Sequence, residues 1–287
     1  MFGQTTEIPS IPSETVRAAR AVFSRKNFYI LVGEQLEFVL KDIQLESLSE
    51  SSKISRAGGA ILPLTTFFQF IEGLTDEQAI DAVRTRIDWK YALHLPVNTL
   101  TFHQNALCEF RQKVINNPAN QREFQKLVDR LITLNPPNNH THQDFEILAL
   151  LSSICSTNVM NWALEAMCAA LGALASRYPE WLLQIAQPHW YWRFNHVPPF
   201  ANPVSSMRHQ ELSMEKLGAD IQHLLEEVQR SNSCEINELK EIKTLHHLWE
   251  RQFEKEGVAL AAQSGTVIRI NCDSCRYAAD EMSTNYR

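Results

Sequence analysis

Apolar positions recur at three- and four-residue intervals over most of this chain, punctuated by capping residues and prolines. The pattern is clearest in residues 72–113, EGLTDEQAIDAVRTRIDWKYALHLPVNTLTFHQNALCEFRQK. Thr75 followed by Gln78 reads as a capping box, and Asp76 and Glu77 suit the positive end of a new helix. Ala79, Ala82, Val83, Ile87 and Tyr91 then form one apolar stripe, which leaves Arg84, Arg86 and Lys90 to face outward. Pro96 breaks the run. Thr101 with Gln104 predicts a second capping box, and Phe102, Leu107, Phe110 and Val114 a second stripe.

The same periodicity extends to both sides. A helix is predicted after Ser13, with Val16, Ala19, Ala21 and Phe23 apolar, and another over 28–40 through Leu31, Leu36, Val39 and Leu40. Residues 46–60, polar and Gly-containing, read as a loop. Residues 62–71 form a buried helix opening near Pro63, and 123–134 an amphipathic one. NPPNNHTHQ at 135–143 is the clearest linker and is taken as the domain boundary. Beyond it come a long apolar helix over 145–175, an aromatic- and Pro-rich stretch over 178–204, and amphipathic helices over 207–230 and 235–256. GTVIRI is the one good strand candidate. The expected fold is mainly α: a helical domain over 1–134, then a second helical region over 144–287 with a short β segment.

Composition narrows the class. A chain of 287 residues with 44% hydrophobic and 21% charged residues is that of a globular protein. Its net charge of -6 argues against nucleic-acid binding by overall charge. Local charge differs: residues 82–135 hold 8 basic and 4 acidic side chains, enough for a patch. The N-terminus lacks the basic start and apolar run of a signal peptide, and the run between Glu146 and Glu165 is too polar for a convincing membrane span. Six scattered cysteines then read as reduced thiols, and the expected location is the cytoplasm with no membrane partner.

Two helices joined by a Pro-marked turn fit a helix-turn-helix, in which the start of the second helix meets base edges while Arg and Lys hold phosphates. On this reading Arg84, Arg86, Lys90, Arg111 and Lys113 contact phosphates, and His103, Gln104 and Asn105 face bases. The plain alternative is a solvated helical face. Trp89 reads as core, and Asp88 as the partner of a neighbouring basic side chain.

The wording of the segment adds to its pattern. EGLTDEQAIDAVRTRIDWKYAL followed by TFHQNALCEFRQKV, with IPSETVRAARAVFSRKNFY upstream, closely resembles the N-terminal domain of a group of bacterial insertion-sequence transposases. The resemblance implies DNA recognition at the terminal inverted repeats of an element. It also implies a three-carboxylate (DDE) core that uses two divalent ions, usually Mg²⁺. Aligned on ALEAMCAALGAL, the first carboxylate falls at Glu146, with Asp144 two residues away, and neither has the family's flanking Thr or Ser. CDSCRYAADEMSTNYR resembles the segment leading into the strand that bears the second Asp, so the resemblance implies a truncated, catalytically incomplete chain with no catalytic residues and no metal of its own. Other readings stay open: an active transposase completed by a downstream reading frame, a helical interaction protein without DNA binding that self-associates through 207–256, and an inert decayed remnant.

Weaker signals point to no site. Cys272 and Cys275 form a single CxxC, short of the four ligands of structural zinc, and His246 and His247 are adjacent on a helix. The aromatics over 181–200 read as packing. Ser152, Ser153, Cys155 and Met160 stand where the family suggests charges, which implies a face packed on a partner or relaxed selection.

Overall fold

A computed structural model of the chain describes residues 9–44, 58–99, 102–103, 105–134, 146–194 and 213–250. These residues are mainly α, with no strand among them. The expected linker at 135–143, GTVIRI, the CxxC pair, Thr101, Gln104 and Asp144 lie outside the described residues. Two compact units divide the chain, residues 1–154 and 155–287.

Unit 1 begins with α1 (Ser13–Val22), α2 (Phe28–Glu34) and α3 (Leu36–Leu40). Asn27 caps α2, its side-chain oxygen accepting from the Tyr29 amide at 2.9 Å and the Ile30 amide at 3.3 Å. The helix predicted over 28–40 is broken at Gln35, which departs from α-helical geometry.

α4 (Gly58–Glu72) lies at the centre, packed on α5, α7 and α8. Leu64, Phe67, Phe68 and Ile71 are buried on it, and so are Thr65, Thr66 and Gln69, as suits a helix covered on most sides. Pro63 does not open this helix but sits inside it. Its ring removes one backbone hydrogen bond. Ala60 and Ile61, buried in the core just upstream, keep that first turn helical in spite of it. α4 ends at Gly73, whose φ of 62° closes a Schellman turn: the Gly73 amide donates to the Phe70 carbonyl and the Leu74 amide to the Gln69 carbonyl.

α5 (Asp76–Thr85) follows at once. Its capping box is complete, with the Gln78 amide donating to Thr75 Oγ1 at 3.3 Å and the Thr75 amide donating to Gln78 Oε1 at 3.0 Å. The apolar stripe through Tyr91 is carried by two helices rather than one. Arg86 is extended, at φ -88° and ψ 122°, and separates α5 from α6 (Ile87–Ala92). α7 (Asn105–Ile115) and α8 (Pro118–Thr133) complete the unit's short helices, α8 with Asn117 as its cap and Pro118 in its first turn.

The expected helix-turn-helix needs correction in its packing. The first half of the predicted hairpin is split: α5 shares α4 as a neighbour with α7, whereas α6 lies on α1 and α2. Residues 93–104 separate α6 from α7, which is not a tight turn. Gly33 lets α2 and α6 come this close: a Cβ there would stand 2.7 Å from the Tyr91 carbonyl oxygen.

α9 (Ile147–Arg177) is, among the described residues, a helix long and apolar enough by length and composition to cross a membrane. Its apolar positions are used in protein cores. Ile147, Leu150, Leu151 and Ile154 belong to the core of unit 1, and Leu164, Met167, Ala170 and Leu174 to that of unit 2. Unit 2 adds α10 (Pro179–Ile185), α11 (Pro188–Phe194), α12 (Met214–Arg230), α13 (Cys234–Asn237) and α14 (Lys240–Trp249). Leu217, Ile221, Leu224 and Val228 of α12 pack with Ile242 and Leu245 of α14. Asp220 fastens α11 to α12 by accepting from Arg193 and bonding His189 Nε2 at 2.9 Å. Of the aromatics expected to pack, Trp190 is buried, but Tyr191 and Trp192 are exposed.

Candidate nucleic-acid interface

Two ion-pair networks hold the region that the sequence singles out, and both consume cations expected to face DNA. In the first, Arg111 of α7 meets Asp76, the opening residue of α5, through parallel bonds of 2.8 Å (Nη1 to Oδ1) and 2.6 Å (Nη2 to Oδ2). Gln69 Nε2 of α4 donates to the same carboxylate at 2.7 Å. The Arg111 side chain has 0% exposure. A phosphate contact by Arg111 is therefore corrected: its charge is spent on an internal carboxylate, and no oxygen from outside can reach the guanidinium.

In the second, Arg86 donates from Nε and Nη2 to Asp88, at 3.1 and 2.7 Å, and from Nη1 to Glu72. Its guanidinium lies 5.1 Å from the ring centroids of both Tyr29 and Trp89. Glu72 also accepts from the Tyr29 hydroxyl and, at 3.4 Å, from Trp89 Nε1. Burial works against the Arg86 charge, but the hydrogen bonds from Asp88 and Glu72 outweigh it and push its pKa up. For Tyr29 burial leads, followed by the Glu72 charge, and the phenol is pushed up as well. Asp88 pairs with a basic neighbour and Trp89 is core, as their sequence context suggests. Arg86 ties α2, α4 and α6 together, and its charge, 34% exposed, is shared with two carboxylates rather than left free for DNA alone.

Lys90 is 3% exposed, and its ammonium donates to the Val97 carbonyl, fastening the segment after α6. Burial lowers its pKa. The outward position read from the stripe is thus corrected too. Asp88, Trp89, Lys90, Tyr91 and Ala92 of α6 are all buried, so this short helix leaves no outward face at Lys90.

The remaining predicted contacts have more access. Arg84 is 66% exposed and shares its charge with Asp81 one turn earlier. His103 is exposed, and its Nδ1 accepts from the Asn105 amide at 3.3 Å. Asn105 and Lys113 are half-buried at the two ends of α7. Gln104 lies outside the described residues.

Residues 59–113 match the family described as Transposase domain (DUF772). Over this segment the chain is similar to a transposase domain. The matched segment runs from the start of α4 to Lys113 in α7, and it contains Glu72, Asp76, Arg86, Asp88 and Arg111. Both ion-pair networks therefore draw their charged members from within the matched segment. No curated protein and no solved structure matches the chain.

Sequence reasoning missed Glu72 and the pairing of Asp76. Each partner is distant in sequence, 14 residues for Glu72 and Arg86, 35 for Asp76 and Arg111. Asp76 was legible as a first-turn acid, but nothing local marks it as a buried acceptor.

Glu146 is an exposed residue just ahead of α9, and no group of three or more His, Cys, Asp or Glu side chains that could hold a metal ion occurs among the described residues. The His246 ring pairs with Glu250 at 3.2 Å, four residues further along the chain.

Proposed function

We propose that this protein is an insertion-sequence transposase-type DNA-binding protein, in which unit 1 recognises the terminal inverted repeats of an element. The match of residues 59–113 to a transposase domain carries the reading. The fold supports it with exposed polar side chains at Arg84 and His103 and a half-buried one at Asn105, beside a core cross-linked by the buried Arg111–Asp76 pair and the partly buried Arg86 network. Duplex DNA in the cytoplasm is the partner that this reading requires. Recognition is proposed without strand transfer, because the resemblance places the first carboxylate at Glu146 without the family's flanking Thr or Ser.

The test is binding of the full chain to terminal repeats of a related element, against shuffled duplex, across a range of salt. Repeat-specific binding that weakens steeply with salt is expected. No preference for the repeats would overturn recognition of element ends, and no binding at low salt would overturn DNA binding altogether. Cleavage of the repeats by the purified chain with Mg²⁺ would overturn the catalytic part of the proposal.

A further inference from the structure

Several cations of unit 1 already have work to do inside the protein. Arg86 and Arg111 are locked to carboxylates, Lys90 is spent on Val97, and Arg130 donates to the carbonyls of Phe38, Val39 and Lys41. α1 and its exit are different. Arg17, Arg20, Arg25 and Lys26 are all exposed, and none makes an ion pair among the described residues. Residues 17–26 contain no acidic side chain.

The platform beneath these cations is firm. α1 turns its other side inward: Ala19 is buried with Ile30 and Tyr91, and Val16 and Phe23 pack against them. Thr15 Oγ1 donates to the Leu95 carbonyl at 2.8 Å, anchoring the first turn across 80 residues of sequence. Ala18 and the exposed Ala21 lie beside the arginines, and Val22, also exposed, follows Ala21. Arg17 and Arg20 are three residues apart, about 4.5 Å along the axis, and point to the same side. Arg25 and Lys26 continue the charge into the turn before α2.

We infer that α1 and its exit turn, through Arg17, Arg20, Arg25 and Lys26, form a surface that grips the phosphate backbone of duplex DNA. This inference rests on the DNA-binding reading above and relocates its electrostatic part. Most of the cations that the sequence pattern assigned to phosphates are engaged inside the protein, and four exposed cations without an ion pair among the described residues take their place, with Glu14 in the first turn as the one acid on α1. Guanidinium groups suit phosphate because their fork geometry matches its oxygens. Such contacts carry no sequence information, so base recognition is left to residues elsewhere in unit 1.

The experiment uses the full chain and a fluorescein-labelled mixed-sequence duplex, titrated at several salt concentrations. The variants are a quadruple change, Arg17→Ala with Arg20→Ala, Arg25→Ala and Lys26→Ala, and a charge-keeping change, Arg17→Lys with Arg20→Lys and Arg25→Lys. Helix content and unfolding midpoint should stay unchanged in both, since these side chains are exposed. The quadruple variant is expected to bind at least about tenfold more weakly at low salt, with its log–log salt slope flatter by up to about 3–4, near 0.9 for each phosphate no longer neutralised. The charge-keeping variant should restore most of the binding and the slope. A wild-type protein that binds while the quadruple variant binds equally well overturns this surface and leaves the DNA reading standing. Weakened binding with an unchanged slope, or no rescue by lysine, overturns it as well. Wild-type protein that ignores duplex, or prefers phosphatidylserine vesicles to it, overturns both readings.

Discussion

Arg111 and Asp76 face each other as a two-pronged ion pair, 2.8 and 2.6 Å, with the guanidinium removed from water. The pair joins the start of α5 to the middle of α7 and sits against Gln69 of α4. A buried pair of this kind gives little net stability over a well-packed apolar replacement, but breaking one side is costly because it strands the other charge. Arg111→Ala is therefore expected to destabilise the protein by about 3–5 kcal/mol in denaturant unfolding. Arg111→Ala combined with Asp76→Ala should cost less than the sum of the two single changes. Additive single effects would show that the pair is not coupled.

Arg86 meets two carboxylates and two aromatic faces at once, which lysine cannot reproduce. Arg86→Lys is expected to lower stability by about 1.5–3 kcal/mol, the range for hydrogen bonds to charged groups. Duplex affinity of the folded variant should remain near wild type. A variant of unchanged stability that loses DNA binding would return Arg86 to the interface.

Lys90 makes a prediction about pH. Burial lowers its folded pKa below the ordinary lysine value of 10.5, so the unfolded chain binds the proton more tightly. Stability must then rise with pH between the folded pKa and about 10.5, where the unfolded lysine also loses its charge. Lys90→Met should remove this rise and be near neutral or stabilising below that window. Parallel pH profiles of unfolding for wild type and variant would show that Lys90 has no such role.

Gly33→Ala tests the approach of α2 to α6. The new methyl would lie 2.7 Å from both the Tyr91 carbonyl oxygen and its ring Cδ1, and a backbone atom cannot swing away. A loss of about 1–3 kcal/mol is expected, read as a lowered melting temperature. A melting temperature equal to wild type would mean that α2 and α6 have room to separate.

Thr75→Ala should cost about 1 kcal/mol, as for other side-chain caps. Gln78→Ala should cost part of the same energy, because each residue satisfies a backbone amide of the other. The double variant's unfolding midpoint, compared with those of the single variants, measures how far the box acts as a unit.

The contrast between Thr75 and Arg111 separates what the sequence determines from what the tertiary structure decides. Thr75 and Gln78 specify a helix start through contacts three residues apart, and the box forms as the spacing predicts. Asn27 ahead of α2, the apolar periods of α7, α8, α9 and α12, and the buried Trp89 are local in the same sense. So is the mainly α character that follows from them. Whether a cation faces water is another kind of question. Arg111 is interior because Asp76, 35 residues away, is brought to it by α4. Lys90 is interior because α6 is covered along Asp88 to Ala92, and the four cations of α1 and its exit stay outside because Ala19 and Thr15 dock that helix on α6 and the segment after it. Periodicity assigns a residue to a face of its own helix. Only the packing of several helices decides whether that face meets solvent, an apolar core or an opposite charge.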